Sequence, residues 1–442
     1  MKILISLLLT LLSVFSGISQ KKWSLKECVD YALKNNLNIQ QNQLNVQLVE
    51  KDIQIAKGNF LPNLSASSSG MFTSGLSPGG IGVLQNTQNF SSNFSLSSSI
   101  FVFNGFRNLN IYKQAKLGVE SAKLDLEVVQ NDISLQVVNT YLNVLFSKEN
   151  LEVAKIQAEI SKKQVDRAKV QFEAGAIPKG DLLNVQSTAA NDIQAVVNQE
   201  NSLSIALLQL AQLLQISTEN FDVFKIDFDS PSASSSLNTS KEIYEKALVN
   251  RPEIERARLA IANSDFNVKI SKSDYMPTFS INLGTETSYF NQFNNLLESN
   301  VYFFKQIFKD RIRYSASFSL NVPIFNRFQT KGRVAKSLID KQVAEIAFEN
   351  EKLKLQQTIE QAYLDAKAAV KTFEAAKTSL LAQKEAFKNA QVSYDYGAMT
   401  QFDFDQVRNR LVNAEGEMIR SKYDYIFKNK VLKFYFGEPI VD

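Results

Sequence analysis

The chain has 442 residues, a net charge of +4, no histidine and one cysteine, Cys28. That composition removes His-based acid–base catalysis, most metal sites and any intrachain disulfide. Charge is nearly balanced and no basic run interleaves with aromatics, which argues against nucleic acid as a partner, and no compact cluster of acids suggests an enzyme or a bound cofactor.

Residues 1–19 read as a secretory signal: Lys2 is the positive start, Ile3 to Phe15 the apolar run, and Ser16-Gly-Ile-Ser19 the small-residue exit, with cleavage near Ser19. The apolar run is too short to anchor the chain, and no later stretch is apolar enough for a spanning helix. Ser24 opens a helix as N-cap with Glu27 as its reciprocal partner. The helical pattern continues to about Asn59, with a break near Asn35-Asn36, and Cys28 reads as a small buried residue within it. Pro62 then stops the helix, because proline and the residue before it resist helical geometry.

After Pro62 the period changes from helical to two. Phe90, Phe94, Leu96, Ile100 and Val102 alternate with Ser91, Asn93, Ser95, Ser97 and Ser99. This predicts a β-hairpin over about 62–103, with strands of about ten residues and a loop from Leu76 to Asn89. A helix from Phe106 to Ala174 follows, with Leu117, Leu124, Val128, Leu135, Val138, Leu142 and Leu145 in heptad register. At ~1.5 Å per residue it would extend about 100 Å if unbroken. Gly175-Ala176 turns the chain into a returning helix, Asp181 to Gln215, and residues 222–240, with Ser230-Pro-Ser-Ala-Ser-Ser-Ser236, form a surface linker.

The second half writes the same unit again. A helix runs from Ser240 to about Ser273, with Pro252 where the first copy has Leu37, and Pro277 stops it. A second hairpin is predicted over about 277–325, around an aromatic-rich loop from Tyr289 to Arg313 and ending near Pro323. The helix from Phe328 to Tyr396 carries a seam of Leu355, Ile359, Ala362, Ala366, Ala369, Phe373, Ala376, Leu380, Gln383, Phe387, Ala390 and Tyr394, spaced by fours and threes. Gly397-Ala398 turns it into Asp403 to Phe436. Phe60-Leu-Pro-Asn-Leu-Ser65 matches Tyr275-Met-Pro-Thr-Phe-Ser280, Phe103-Asn104 matches Phe325-Asn326, and Tyr141-Leu142 matches Tyr363-Leu364. Repeat 1 therefore covers 20–221, repeat 2 covers 241–437, and 438–442 is a tail. The period is too long for a solenoid.

The strands have one apolar face and one Ser/Asn face, with Phe101, Phe103, Phe106, Phe325 and Phe328 at strand ends. This suits membrane strands with an aromatic girdle; Phe94, Leu96, Phe318 and Leu320 would then meet lipid, and Ser95, Ser97, Ser317 and Ser319 water. Four strands cannot close a barrel, so the membrane reading requires an oligomer. A soluble sheet gives a similar alternation, and the chain would then be a non-channel extracytoplasmic coiled-coil scaffold or adaptor.

In this order, twice over, the motifs resemble the TolC-like outer membrane efflux protein family. They are Ala32-Leu33 with Asn35 and Ala247-Leu248 with Asn250-Arg-Pro252, the helix ends at Pro62 and Pro277, Phe103-Asn-Gly-Phe106 and Pro323-Ile-Phe-Asn326, and the two Gly-Ala turns followed by Asp. The resemblance implies an α+β membrane protein of the bacterial outer membrane. It would be a homotrimer whose chains each give four strands to a twelve-stranded β-barrel in outer membrane lipid, and coiled-coil helices to a periplasmic tunnel. It would serve as the exit duct of a tripartite efflux pump or type I secretion system, docking a periplasmic adaptor and an inner membrane transporter. The resemblance also implies a gate: Tyr394 matches a tip tyrosine, Asp181 its acidic partner and Asp403 an acid facing the lumen, while Gly175, Ala176, Gly397 and Ala398 would contact the adaptor. Met399 stands where the family's closed-state network has an arginine, and Gln406 replaces a second luminal carboxylate, so the lock would be thinner or differently built. The residues alone also allow plainer roles. Asp181 and Asp403 open helices, where an acid meets the helix dipole and free N–H groups; Thr400 to Asp403 resembles a capping box; the glycines supply positive φ.

Overall fold

The structure, a computed structural model, describes residues 22–78, 84–225, 239–293 and 302–440. The expected signal segment, most of the expected linker and the last two residues of the expected tail lie outside the described residues, as do 79–83 and 294–301 within the two expected strand loops.

The helix signals act as read. Ser24 and Glu27 form a reciprocal capping box ahead of α1 (Leu25–Asn35), the break falls at Asn36, and α2 (Leu37–Gly58) follows. Thr239 and Glu242 form the equivalent box ahead of α5 (Ser240–Asn250), and Pro252 starts α6 (Pro252–Ser273). Proline is tolerated there because the first helical N–H has no intrahelical partner. The long helices are α3 (Arg107–Glu173) and α8 (Gln329–Asp395), each 67 residues. The returning helices are α4 (Lys179–Leu214) and α9 (Gln401–Phe436), each 36 residues. Equal helix lengths in the two halves are the structural form of the duplication. Pro62, Pro277 and Pro323 all lie between elements, at the helix–strand boundaries. No described helix is long and apolar enough to cross a membrane.

By internal contacts the chain forms two compact units, one of residues 44–123 and 256–349 and one of the remainder. The first holds the sheet. β2 (Ser65–Pro78), β3 (Leu84–Asn104), β5 (Thr278–Gln292) and β6 (Arg313–Asn321) lie side by side in that order, all antiparallel. The expected ten residues per strand is corrected to 14, 21, 15 and 9. Most of the expected loop from Leu76 to Asn89 is strand, because Leu76 pairs with Asn86 and Pro78 with Leu84. Runs of Ser, Thr, Gln and Asn conceal a two-residue period there, while the backbone ladder continues regardless.

The two faces of the sheet separate as expected. Ser65 and Ser67 hydroxyls bond those of Ser97 and Ser95 at 2.9 and 2.7 Å, and Asn282 reaches Ser317 on the same face. The opposite face carries Phe94, Leu96, Ile281, Leu283, Phe318 and Leu320, of which Leu96, Leu283, Phe318 and Leu320 are exposed. At the strand-to-helix turns the backbone enters the left-handed region: Gly105 and Phe106 at φ 65° and 63°, Arg327 and Phe328 at 55° and 61°. Gly105 tolerates no side chain, since a Cβ there would lie 2.6 Å from the Ser273 carbonyl. Arg107 and Arg333, one from each repeat, converge on Asp274 at 2.7 and 3.2 Å.

The second unit has its core at the base of the helical hairpins. Leu25, Cys28, Ala32, Val137, Tyr141, Leu145, Leu210 and Leu214 pack with Ile419, Tyr423 and Ile426 of α9. Cys28 is fully buried, and burial, aided by Glu27, pushes its thiol up to about 12, so it is an inert packing residue. Two short strands unforeseen in the sequence, β1 (Lys22–Trp23) and β4 (Asp222–Val223), pair in parallel beside this core, where Lys148 pairs with Asp222. Arg251, only 8 % exposed, pairs with Glu253 at 2.8 Å and lies 4.4 Å over the Phe434 ring.

Candidate gate at the hairpin tips

Both tip turns have the same backbone. The N–H of Gly175 bonds the Phe172 carbonyl at 2.9 Å and that of Ala176 bonds Gln171 at 2.8 Å. Gly397 and Ala398 bond Tyr394 and Ser393 at 3.0 and 2.8 Å. This is the Schellman pattern, in which the C′ residue must be left-handed, and the glycines sit at φ 74° and 72°. Gly175, Ala176, Gly397 and Ala398 are all exposed.

The chain then re-enters helix two residues earlier than expected, at Lys179 and Gln401. Asp181 and Asp403 therefore stand at the third helical position rather than opening their helices, and the caps are Pro178 and Thr400. Asp403 completes its cap: its N–H donates to Thr400 Oγ1 at 3.1 Å, and the threonine hydroxyl donates to its carboxylate at 2.7 Å. Pro178 has no side chain that can cap, so the first tip has no such lock. Asp403 is exposed and Asp181 half-buried.

Tyr394 stacks on Phe404 with ring centroids 4.8 Å apart. Its hydroxyl donates to Gln401 Oε1, and the Gln401 amide donates to Asp405 at 3.0 Å. The implied partner, Asp181, is not bonded to Tyr394 within the chain; both line one cleft of about 700 Å³, with Met399, Gln401 and Asp405. Burial raises the Tyr394 phenol above its ordinary pKa; Asp405, Asp181 and Asp395 reinforce this and Arg167 opposes it. The phenol thus stays a hydrogen-bond donor at neutral pH.

The connection between hairpins is made by residues the sequence reading passed over. Arg167 of α3 forms an ion pair with Asp395 of α8, and its guanidinium lies 6.0 Å from the Tyr394 ring centroid. Deeper along the helices Arg408, 3 % exposed, reaches Asp192 at 3.1 Å and Ser161 at 2.6 Å. Gln157 bonds Glu415 at 3.5 Å beside it. An arginine between the apolar residues Val407 and Leu411 is the one sequence signal for such a buried pair. Met399 lines the cleft where the resemblance implies an arginine, and Gln406 is exposed. The arginine that links the two hairpin tips in this chain is Arg167. Among the described residues no group of acidic or cysteine side chains could hold a metal ion.

The family model described as outer membrane efflux protein matches residues 28–214 and 243–438, one match per repeat. Nodulation protein T of Rhizobium leguminosarum bv. viciae is 21% identical over 424 residues, covering 95% of this chain and 83% of that protein. Among solved structures, the Campylobacter jejuni CmeC outer membrane channel superposes with a TM-score of 0.76 at 19% identity, over 93% of this chain and 85% of that one. The outer membrane protein VceC of Vibrio cholerae gives 0.76 at 13% identity, over 94% and 96%.

Proposed function

We propose that this chain, which belongs to the outer membrane efflux protein family, is the passive exit duct of a tripartite efflux pump or type I secretion system. The family gives the coarser statement, an outer membrane efflux protein, and the channel-tunnel with periplasmic helices is the form of it supported by the fold. The finer assignment rests on the sheet. It has one apolar face, one Ser/Asn face and open edges at β2 and β6. Such edges leave backbone groups unpaired in lipid, and three chains joined edge to edge make a closed twelve-stranded barrel with a wide, weakly selective Ser/Asn lumen. The soluble scaffold reading would leave the exposed Leu96, Leu283, Phe318 and Leu320 side chains facing water. The export energy comes from an inner membrane transporter, reached through a periplasmic adaptor.

The tip cleft is the resting gate in this reading. Asp181 and Tyr394 face neighbouring hairpins across it, Asp403 from each protomer rings the lumen, and the exposed Gly175-Ala176 and Gly397-Ala398 turns meet the adaptor. The repeated acids of such a ring repel one another, and a cation relieves the repulsion. Asp403→Ala should therefore weaken cation block and cation preference in planar bilayers. The overall reading is tested by fractionation: the protein should separate with outer membrane and run as a heat-sensitive oligomer in mild detergent. Recovery as a soluble monomer contradicts it.

A further inference from the structure

Residues 302–312, which lead into β6, do not stand clear of the sheet. A short helical turn, α7 (Phe303–Lys305), continues as a π-turn over Gln306–Asp310. It folds back onto the apolar face. Phe303 meets Phe94 and Tyr289 edge-on at 6.3 and 4.9 Å. Ile307 is buried, and its carbonyl accepts the Thr287 hydroxyl at 2.7 Å. The Gln306 amide pairs with both the N–H and the carbonyl of Phe290 at 3.1 Å, replacing strand partners that the short β6 does not supply.

With Phe303 and Ile307 on the sheet, the next positions, Phe304 and Phe308, stack in parallel with centroids 6.3 Å apart, and are 71% and 68% exposed. Lys305 and Lys309 occupy the following stripe and are also exposed, with Asp310 beside them. Below Phe308, an open groove of about 410 Å³ runs between the turn and the sheet, lined by Ala66, Phe94, Leu96, Ile307, Phe308 and Ile312. Height along the strand fixes where this lies. Phe94 is ten residues from the helix-side end of β3 at Asn104. At ~3.4 Å per residue and the usual barrel tilt of ~40°, that places it about 25 Å up the membrane normal, the height of an outer-membrane apolar band.

We propose that this turn is a clasp for a phosphorylated, acylated lipid of the outer leaflet. The groove takes an acyl chain, Phe304 and Phe308 sit in the interfacial layer, and Lys305 and Lys309 meet the phosphates. The inference rests on the outer membrane reading above. An exposed pair of stacked phenylalanines beside a pair of lysines matches such a lipid in both halves, apolar chain and anionic head.

The test uses the full-length oligomer. In reconstituted bilayers, the Phe304→Trp variant should be quenched by phosphatidylcholine with brominated chains, relative to the parent chain that retains only Trp23. Lys305→Gln with Lys309→Gln should weaken binding of bisphosphorylated lipid A by about tenfold or more. Binding of the same lipid stripped of phosphate should not change, and inorganic phosphate should not compete. Absence of quenching in the Phe304→Trp variant, equal lipid A binding by the lysine variant, or effective competition by inorganic phosphate each overturns the clasp. So does cross-linking of Phe304→Cys between subunits in high yield, which would make the turn a contact between copies. Resistance of the protein to carbonate extraction separates the two readings: an extracted protein fails the membrane reading itself, whereas an integrated but unquenched one fails only the clasp.

Discussion

At the base of the hairpins Val137 and Tyr141 of α3 and Leu210 and Leu214 of α4 are sealed from solvent in one apolar core, whereas at the tips α3 meets α8 through Arg167 and Asp395, and α8 meets α9 through Tyr394 and Gln401. The base contacts are many, apolar and buried. The tip contacts are few, polar and half-exposed. Apolar burial holds a fixed arrangement because any separation admits water to the whole surface. Exposed ion pairs contribute little and exchange readily for water or for another partner. The helical unit can therefore be permanent at the base and reversible at the tips.

The difference can be broken first from the base. Leu210→Ala or Leu214→Ala should cost about 2–5 kcal/mol of stability, since each removes a fully buried side chain and leaves a cavity. Thermal unfolding should show it as a lowered Tm, while any surviving oligomer conducts as the parent does. Between base and tip, Asp192→Ala should cost about 3 kcal/mol in denaturant unfolding, because it strands the buried Arg408 guanidinium with Ser161 alone. Restoring an apolar pair with Asp192→Leu and Arg408→Met should recover most of that loss. At the tip, Arg167→Gln should cost less than about 1 kcal/mol, since both partners are substantially exposed. It should nevertheless raise single-channel conductance, an effect that no base variant produces.

The smallest expected effect is one of pH. Burial raises the Glu415 carboxyl above its ordinary value, with Lys384 and the Gln157 hydrogen bond opposing. A raised native pKa means that its share of stability is present below the ordinary carboxylate range and lost as pH rises through the raised value. Glu415→Gln should flatten that part of the Tm–pH curve and leave the acid limb set by other carboxylates unchanged.

Much of this architecture was legible in the residues because it is local or periodic. Ser24 with Glu27, Pro62, Pro277 and the Gly-Ala turns act within a few residues of themselves. Every position of the seam from Leu355 to Tyr394 is buried or half-buried. What escaped depends on segments far apart in the chain. α9 buries Ile419, Tyr423 and Ile426 against the first repeat, a contact set by the packing of distant segments. The β1–β4 pair joins residues two hundred positions apart and is two residues long. Asp395 was invisible as a partner because Arg167 lies on the other hairpin. The hydroxyl of Tyr394 was assigned to Asp181 by resemblance, and within the chain Gln401 takes it.

In the proposed function a passive channel is closed at its tips by contacts weak enough to release. Single-channel recording in planar bilayers tests it most directly, comparing the parent oligomer with Tyr394→Phe combined with Asp181→Ala. The hydrogen bond from Tyr394 to the neutral Gln401 contributes about 0.5–1.5 kcal/mol, and one to Asp181 of a neighbouring subunit would contribute about 1.5–3 kcal/mol, so losing both should open the tip without unfolding the base. The parent should conduct weakly, and the double variant clearly more, at equal oligomer yield. Equal yield with identical conductance and cation block in both would contradict it.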